Sequence, residues 1–274
     1  MEKIDLQDRD IAELDHITGD VKGLYILLVN VFGIANGSGG WTLVDAGLRL
    51  SAGRIRHWAE RRFGDRKPDG IVMTHGHFDH VGALEELATQ WDVPVYAHPL
   101  ELPYLTGAAE YPPPDPSVGG GLMARLAFLY PRGSVNVTER ALPLPSDGTV
   151  PNLPGWRWIH TPGHTVGHVS LFREADRTLL VGDAFCTTKQ ESFLAVMTQR
   201  PELHGPPAYY TPDWDAARES VRRLAALNPA VIAPSHGRPI SGPHATQSLH
   251  ELAEAFDAVA RPEHGKYVDR GQLR

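Results

Sequence analysis

The chain has 274 residues, 42% hydrophobic and 22% charged, which excludes a disordered segment, a collagen-like repeat and a simple coiled coil. A formal charge of −7 gives no support to a surface that tracks a phosphate backbone, and no run of about 18 apolar residues offers a membrane span. Cys186 is the sole cysteine, so no internal disulfide forms; with an acidic, polar start lacking an apolar leader core, the expectation is a cytoplasmic chain.

In chain order, GLYILLVNVFGI (23–34) reads as one buried strand, rich in branched and aromatic residues. Asn36-Gly37 to Gly39-Gly40 is hairpin punctuation, and WTLVDAG is a second strand ending at Asp45. SAGRIRHWAERRFG (51–64) is an amphipathic helix with Ile55, Trp58, Ala59 and Arg62 on one stripe and Gly64 closing it. DGIVMT is a short strand that runs into THGHFDH. VGALEELATQ (81–90) follows as a helix and VPVYAH as a strand. Residues 99–132 carry too many prolines and glycines for regular structure and too many residues for a connector, so they read as a lid insertion. GLMARLAFLY (121–130) is a short helix at its end. WRWIH, HVSLFRE and TLLVGD are three more strands, and residues 191–214 a second irregular stretch. DWDAARESVRRLAAL is a helix with Asp213 as N-cap, AVIAPSHG a strand and loop, and HATQSLHELAEAFDAVA (244–260) a final helix stopped near Pro262. No linker and no internal period of 20–50 residues shows, so the chain reads as one domain over 1–274, with two sheets packed face to face and helices outside.

The count that stands out is 14 His, and the strongest signal is His75-Gly76-His77-Phe78-Asp79-His80. Composition alone expects such a window about 0.002 times in this chain. In extended backbone, residues two apart point the same way, so His75 and His77 can share one cation while Asp79 and His80 turn toward a second. Imidazole with carboxylate suits zinc, and also iron or manganese. Asp79 as the cap of a helix beginning near Val81 explains that residue but none of the histidines. Further donors recur at strand ends: His164 on the Pro162-Gly163 turn, Asp183 after TLLVG, where Gly182 permits close backbone approach, and His236 in PSHG.

THGHFDHVG, TPGHTVGH, LLVGDAF and PSHG, in that order, resemble the motifs of the metallo-β-lactamase superfamily, from about Gly23 to His236. The resemblance implies an α+β fold, a four-layer αβ/βα sandwich with metals at one edge of the paired sheets. It implies that His75, His77 and His164 hold one divalent ion, that Asp79, His80 and His236 hold the second, and that Asp183 bridges both. The cofactor expected is two divalent ions, zinc first, with iron or manganese admitted. The activity implied is hydrolysis by a metal-bridging hydroxide, with Asp79 relaying a proton to the leaving group.

Within the superfamily, dedicated β-lactamases are usually exported and lack the bridging Asp, whereas Asp183 is present. The diiron flavoproteins have Glu where this chain has His77. Lactonases and glyoxalase II-type thioesterases share all seven ligand types, so a small ester-like substrate is expected: a lactone, a thioester or a carboxyl ester. A phosphodiesterase, a mononuclear iron enzyme oxidising persulfides and a non-catalytic metal binder are the readings left beside it. The partner expected is a small-molecule substrate, not nucleic acid or a membrane, and a homodimer is allowed. Asp45 reads as a carboxylate orienting a ligand imidazole or as a turn residue, His168 as packing behind the site, His98 as a donor to a ligand or as a residue with no role there, and Cys186 as a small buried hydrophobe. Tyr111, Tyr130, Phe185, Tyr209 and Tyr210 are candidates for a pocket wall or for packing. His264 and Lys266 have no role legible in the sequence.

Overall fold

A computed structural model describes residues 11–14, 17–118, 121–127, 135–192, 194 and 202–268. Two mixed sheets pack face to face. The first has seven strands in sequence order: β1 (Ile11–Leu14), β2 (Val21–Ile26), β3 (Val29–Ala35), β4 (Trp41–Val44), β5 (Gly70–Val72), β6 (Val95–Ala97) and β7 (Ala141–Pro143). It is antiparallel from β1 to β4 and parallel from β4 to β7. The second contains β8 (Trp156–His160), β9 (Val169–Arg173), β10 (Thr178–Gly182), β11 (Val231–Pro234) and β12 (Ile240–Ser241), in the order β12-β11-β10-β9-β8.

Alternation along the strands builds the layers. Phe32, Ile34, Val44 and Val72 of the first sheet meet Val169, Leu171, Leu180 and Ala233 of the second in one buried cluster. The intervening residues point outward: Leu43 and Ile71 pack against Ile55 and Trp58 of helix α1 (Ala52–Phe63) and Leu84 and Leu87 of α3 (Leu84–Trp91). Leu179, Val181 and Ile232 pack against Trp214 and Val221 of α6 (Trp214–Ala225) and Leu249 of α7 (Pro243–Glu254). The result is the expected sandwich of helix, sheet, sheet, helix. Arg173 of β9 ties the sheets at their far end by bonding Asp20, just before β2, while its guanidinium lies 4.8 Å from the Trp156 ring centroid.

Several elements differ from the sequence reading. GLYILLVNVFGI is two strands, β2 and β3, joined at Leu27-Leu28, with Leu27 at φ +56°. The helix expected over 81–90 is two, α2 (Phe78–Val81) and α3, because the Gly82 and Ala83 N–H groups bond to Gly47 O at 2.8 Å and Ala46 O at 3.3 Å instead of continuing one helix. Asp79 therefore lies inside the first turn of α2, not at its cap, which is His77. Arg62 leaves the α1 stripe for solvent and pairs with Glu13. The last helix breaks at Ala255 into α7 and α8 (Phe256–Val259). The insertion 99–132 holds two short helices, α4 (Leu102–Leu105) and α5 (Leu122–Arg125); its residues 128–132, Tyr130 among them, and most of 193–201 lie outside the described residues. Asp213 caps α6 as expected, accepting the Ala216 N–H at 3.0 Å. No helix among the described residues is long and apolar enough to cross a membrane.

Candidate metal centre

Seven imidazole and carboxylate groups converge where β5, β8, β10 and β11 end. His75 and His77 lie on the extended segment after β5, and Asp79 and His80 on the first turn of α2. His164 sits in the loop from β8 to β9, Asp183 directly after β10, and His236 two residues after β11. All seven are buried; Asp79, at 9% exposure, is the most open.

Their donor atoms fall into three overlapping groups, each within 4.8 Å: His75, His77 and His164; His75, His80 and Asp183; Asp79, His80 and His236. His77 Nδ1 lies 2.8 Å from His164 Nε2. Asp183 is central. Its Oδ2 lies 3.3 Å from His164 Nε2, 3.2 Å from His236 Nε2 and 4.0 Å from His75 Nε2, and its Oδ1 lies 3.5 Å from His80 Nε2. Asp79 Oδ2 is 3.4 Å from His236 Nε2 and 4.0 Å from His80 Nε2. The four sequence motifs therefore meet in space.

The polar atoms facing the centre are short of partners. His75 Nε2, His80 Nε2 and Asp183 Oδ1 are buried without a hydrogen bond. Such a group costs about 1–3 kcal/mol when left alone, so three of them in one cluster call for a shared cation. The titration behaviour agrees. Burial pushes His77 down to about 3 and holds His75 and His164 well below the usual imidazole range, which leaves them neutral with lone pairs to donate. Burial opposes charge on His80 and His236 too, but Asp183 and neighbouring carboxylates outweigh it and raise both. The donor set fits a binuclear metal site, with Asp183 placed to be shared.

Surrounding residues fix the rings. Asp45 accepts from His80 Nδ1 at 2.8 Å and from the Thr74 N–H and hydroxyl, each at 2.8 Å, so it orients an imidazole. His236 Nδ1 donates to Leu28 O at 2.7 Å, and His164 Nδ1 lies 3.4 Å from Thr211 Oγ1. His168 packs behind Asp183 and accepts its backbone N–H at 2.8 Å. A Cβ at Gly182 would meet His168 Nε2 at 2.4 Å, and Gly182 has φ +63°, so the close approach read from the sequence is real. His98 makes no donation to the cluster; it stacks on His160 with ring centroids 4.3 Å apart. Cys186 is fully buried, and Phe185 and Tyr209 belong to the core against α6.

A cavity of about 70 Å³ opens beside His77 and His164, walled by Tyr104, Tyr111, Pro112, Val166, Tyr210 and Tyr267 among others. Two larger hollows, about 600 and 460 Å³, lie against α7 and α8 and contain none of the seven groups; His264 lines the smaller of these. Sequence reasoning missed Glu101, a fully buried carboxylate between the two histidine-bearing segments, because nothing in PLELPYL marks it.

Residues 24–236 match the metallo-beta-lactamase superfamily. The chain is 46% identical over 242 residues to the probable metallo-hydrolase YflN of Bacillus subtilis, covering 87% of this chain and 92% of that one. Among solved structures it resembles TTHA1623 in a di-iron-bound form, at 26% identity and a TM-score of 0.54 over 83% of this chain and 93% of the other. A metallo-β-lactamase from Erythrobacter litoralis shares the fold, with a TM-score of 0.60 at 19% identity, covering 90% of this chain and 97% of the other. Four ordered motifs, a sandwich of two mixed sheets and seven donors gathered at its edge thus agree with the match over most of the sequence: the chain belongs to the metallo-β-lactamase superfamily.

Proposed function

We propose that this metallo-hydrolase cleaves a small, uncharged ester-like substrate: a lactone, a thioester or a carboxyl ester. The observation that supports this reading is the cavity beside His77 and His164, which no Lys, Arg, Asp or Glu lines among the described residues. Phenol rings and prolines offer contact to a neutral acyl group and no counter-charge to a phosphodiester. Tyr104, Tyr111, Pro112 and Pro113 bring the 99–132 insertion into that wall, so this segment sets specificity.

His75, His77 and His164 would hold one cation, Asp79, His80 and His236 the other, with Asp183 shared. When bound, divalent ions there supply an acidified water and polarise the oxygen that turns negative. The chain's own part is to keep His75, His77 and His164 neutral, to hold Asp183 between the two sets, and to exclude bulk water by burial. Asp79, the most open of the donors, would accept the proton that the acidified water releases and relay it to the departing oxygen or sulfur.

Zinc is the ion proposed, with iron its competitor because the similar TTHA1623 is a di-iron form. The test is elemental analysis of the purified protein joined to a substrate panel of a lactone, a thioester, a carboxyl ester and a phosphodiester. Two metal ions per chain and turnover confined to the acyl substrates are expected. Turnover of the phosphodiester alone, or a single iron with oxygen uptake on a persulfide, overturns the proposal.

A further inference from the structure

Glu101 stands at the start of α4, outside every motif, and is fully buried. One carboxylate oxygen, Oε2, accepts the Gly76 N–H at 3.1 Å and the Tyr111 hydroxyl. The other, Oε1, accepts the Thr165 hydroxyl at 2.7 Å and the Gly167 N–H at 2.8 Å. Gly76 lies between His75 and His77, and Thr165 directly follows His164. A single side chain thus grips both histidine-bearing segments, one with each oxygen.

The surroundings are shaped to let it do so. Tyr111 also accepts the Gly76 N–H, at 2.9 Å, and its ring lies on His77 with centroids 4.5 Å apart. A Cβ on Gly76 would sit 2.7 Å from the Tyr111 hydroxyl oxygen. A Cβ on Gly167 would sit 2.9 Å from Glu101 Cγ and 3.0 Å from Oε1. Both glycines are needed for the carboxylate to reach the two backbones. Four donors offset the cost of burying this carboxylate, and no cationic side chain pairs with it among the described residues.

We propose that Glu101 is a positioning residue that fixes the separation of the two histidine-bearing segments, so that His77 and His164 stand ready for a shared cation. It touches neither cation nor substrate and acts through Gly76 and Thr165. The inference rests on His75, His77 and His164 being cation ligands, but not on which substrate is cleaved.

The experiment titrates zinc into the metal-stripped full chain against a chromophoric chelator, alongside circular dichroism and the unfolding midpoint of each metal-free variant. Glu101→Gln keeps the shape but turns an amide NH₂ toward one pair of donors. A folded variant with zinc affinity lowered about 10–100-fold is expected, the range found when groups orienting metal ligands are removed. Tyr111→Phe and Thr165→Val each delete one bond to Glu101, and each is expected to weaken zinc severalfold. Adding Tyr111→Phe to Glu101→Gln is expected to cost little more, because both act through the same link. Zinc affinity within about twofold of the parent in folded Glu101→Gln overturns the brace. Should that variant not fold, unchanged affinity in both single-bond variants overturns it instead. A parent chain that takes up no zinc overturns the ligand reading and the brace with it.

Discussion

Asp79 carries two proposed tasks, and its place on the first turn of α2 shows how they can be separated. Its Oδ2 faces His236 at 3.4 Å, while it remains the most exposed of the seven donors. Asp79→Asn keeps the size and one donor oxygen but has no carboxyl proton to give. Turnover is expected to fall about 10²–10⁴-fold while both cations stay bound, with metal content and kcat measured on the same sample. Undiminished turnover with two cations present would remove the proton relay. Asp45 shows the same division of labour one step further out: it binds His80 Nδ1 and Thr74, leaving His80 Nε2 turned to the centre. At this scale His75 and His77 were legible as candidate donors, because imidazoles at alternate positions after a strand have few other uses. Glu101 was not, because an isolated acid acquires its meaning only when Gly76 and Thr165, distant in sequence, close around it.

The β2–β3 hairpin does more than fill the first sheet. Asn30 Nδ2 donates to Pro234 O at 2.8 Å and to Gly237 O at 2.7 Å, on either side of His236. Leu28 O accepts a hydrogen bond from His236 Nδ1. Replacing Asn30 by Ala strands two buried carbonyls, so a loss of about 1–3 kcal/mol in denaturant unfolding is expected, with weaker binding of the cation assigned to His236. Stability and metal affinity both equal to the parent would show that the hairpin does not hold this loop. The hairpin itself was hidden in the sequence. Both strands are largely buried, so the run is apolar apart from Tyr25 and Asn30, and the turn at Leu27-Leu28 uses neither Gly nor Asn. Strands β1, β7 and β12 were missed for a related reason. They are short, four, three and two residues, and all three end their sheets, so no alternation has room to show.

Across the whole molecule, the donors divide between the sheets. His75, His77, Asp79 and His80 follow β5 of the first sheet, and His164, Asp183 and His236 follow strands of the second. Cations held among them would link the two halves of the sandwich, at the opposite end from the Arg173–Asp20 pair. Chelation is therefore expected to lower the unfolding midpoint of the whole chain, not of one segment. At free metal about 1,000 times the dissociation constant, the linkage amounts to about 4 kcal/mol. A midpoint unmoved by chelator and restored metal would count against a site that spans both sheets.

The sequence by itself determined which groups could bind metal, their order along the chain and the sandwich they belong to. Those follow from side-chain chemistry and from the local alternation of strand, loop and helix. Only the tertiary structure decided that His77 and His164, 87 residues apart, stand 2.8 Å from each other, and that Asp183 lies between the two sets. It also decided that Asp45, His168 and Glu101 hold the site in place. Distances between remote segments are set by how two sheets pack, and that packing depends on every residue of the shared core at once.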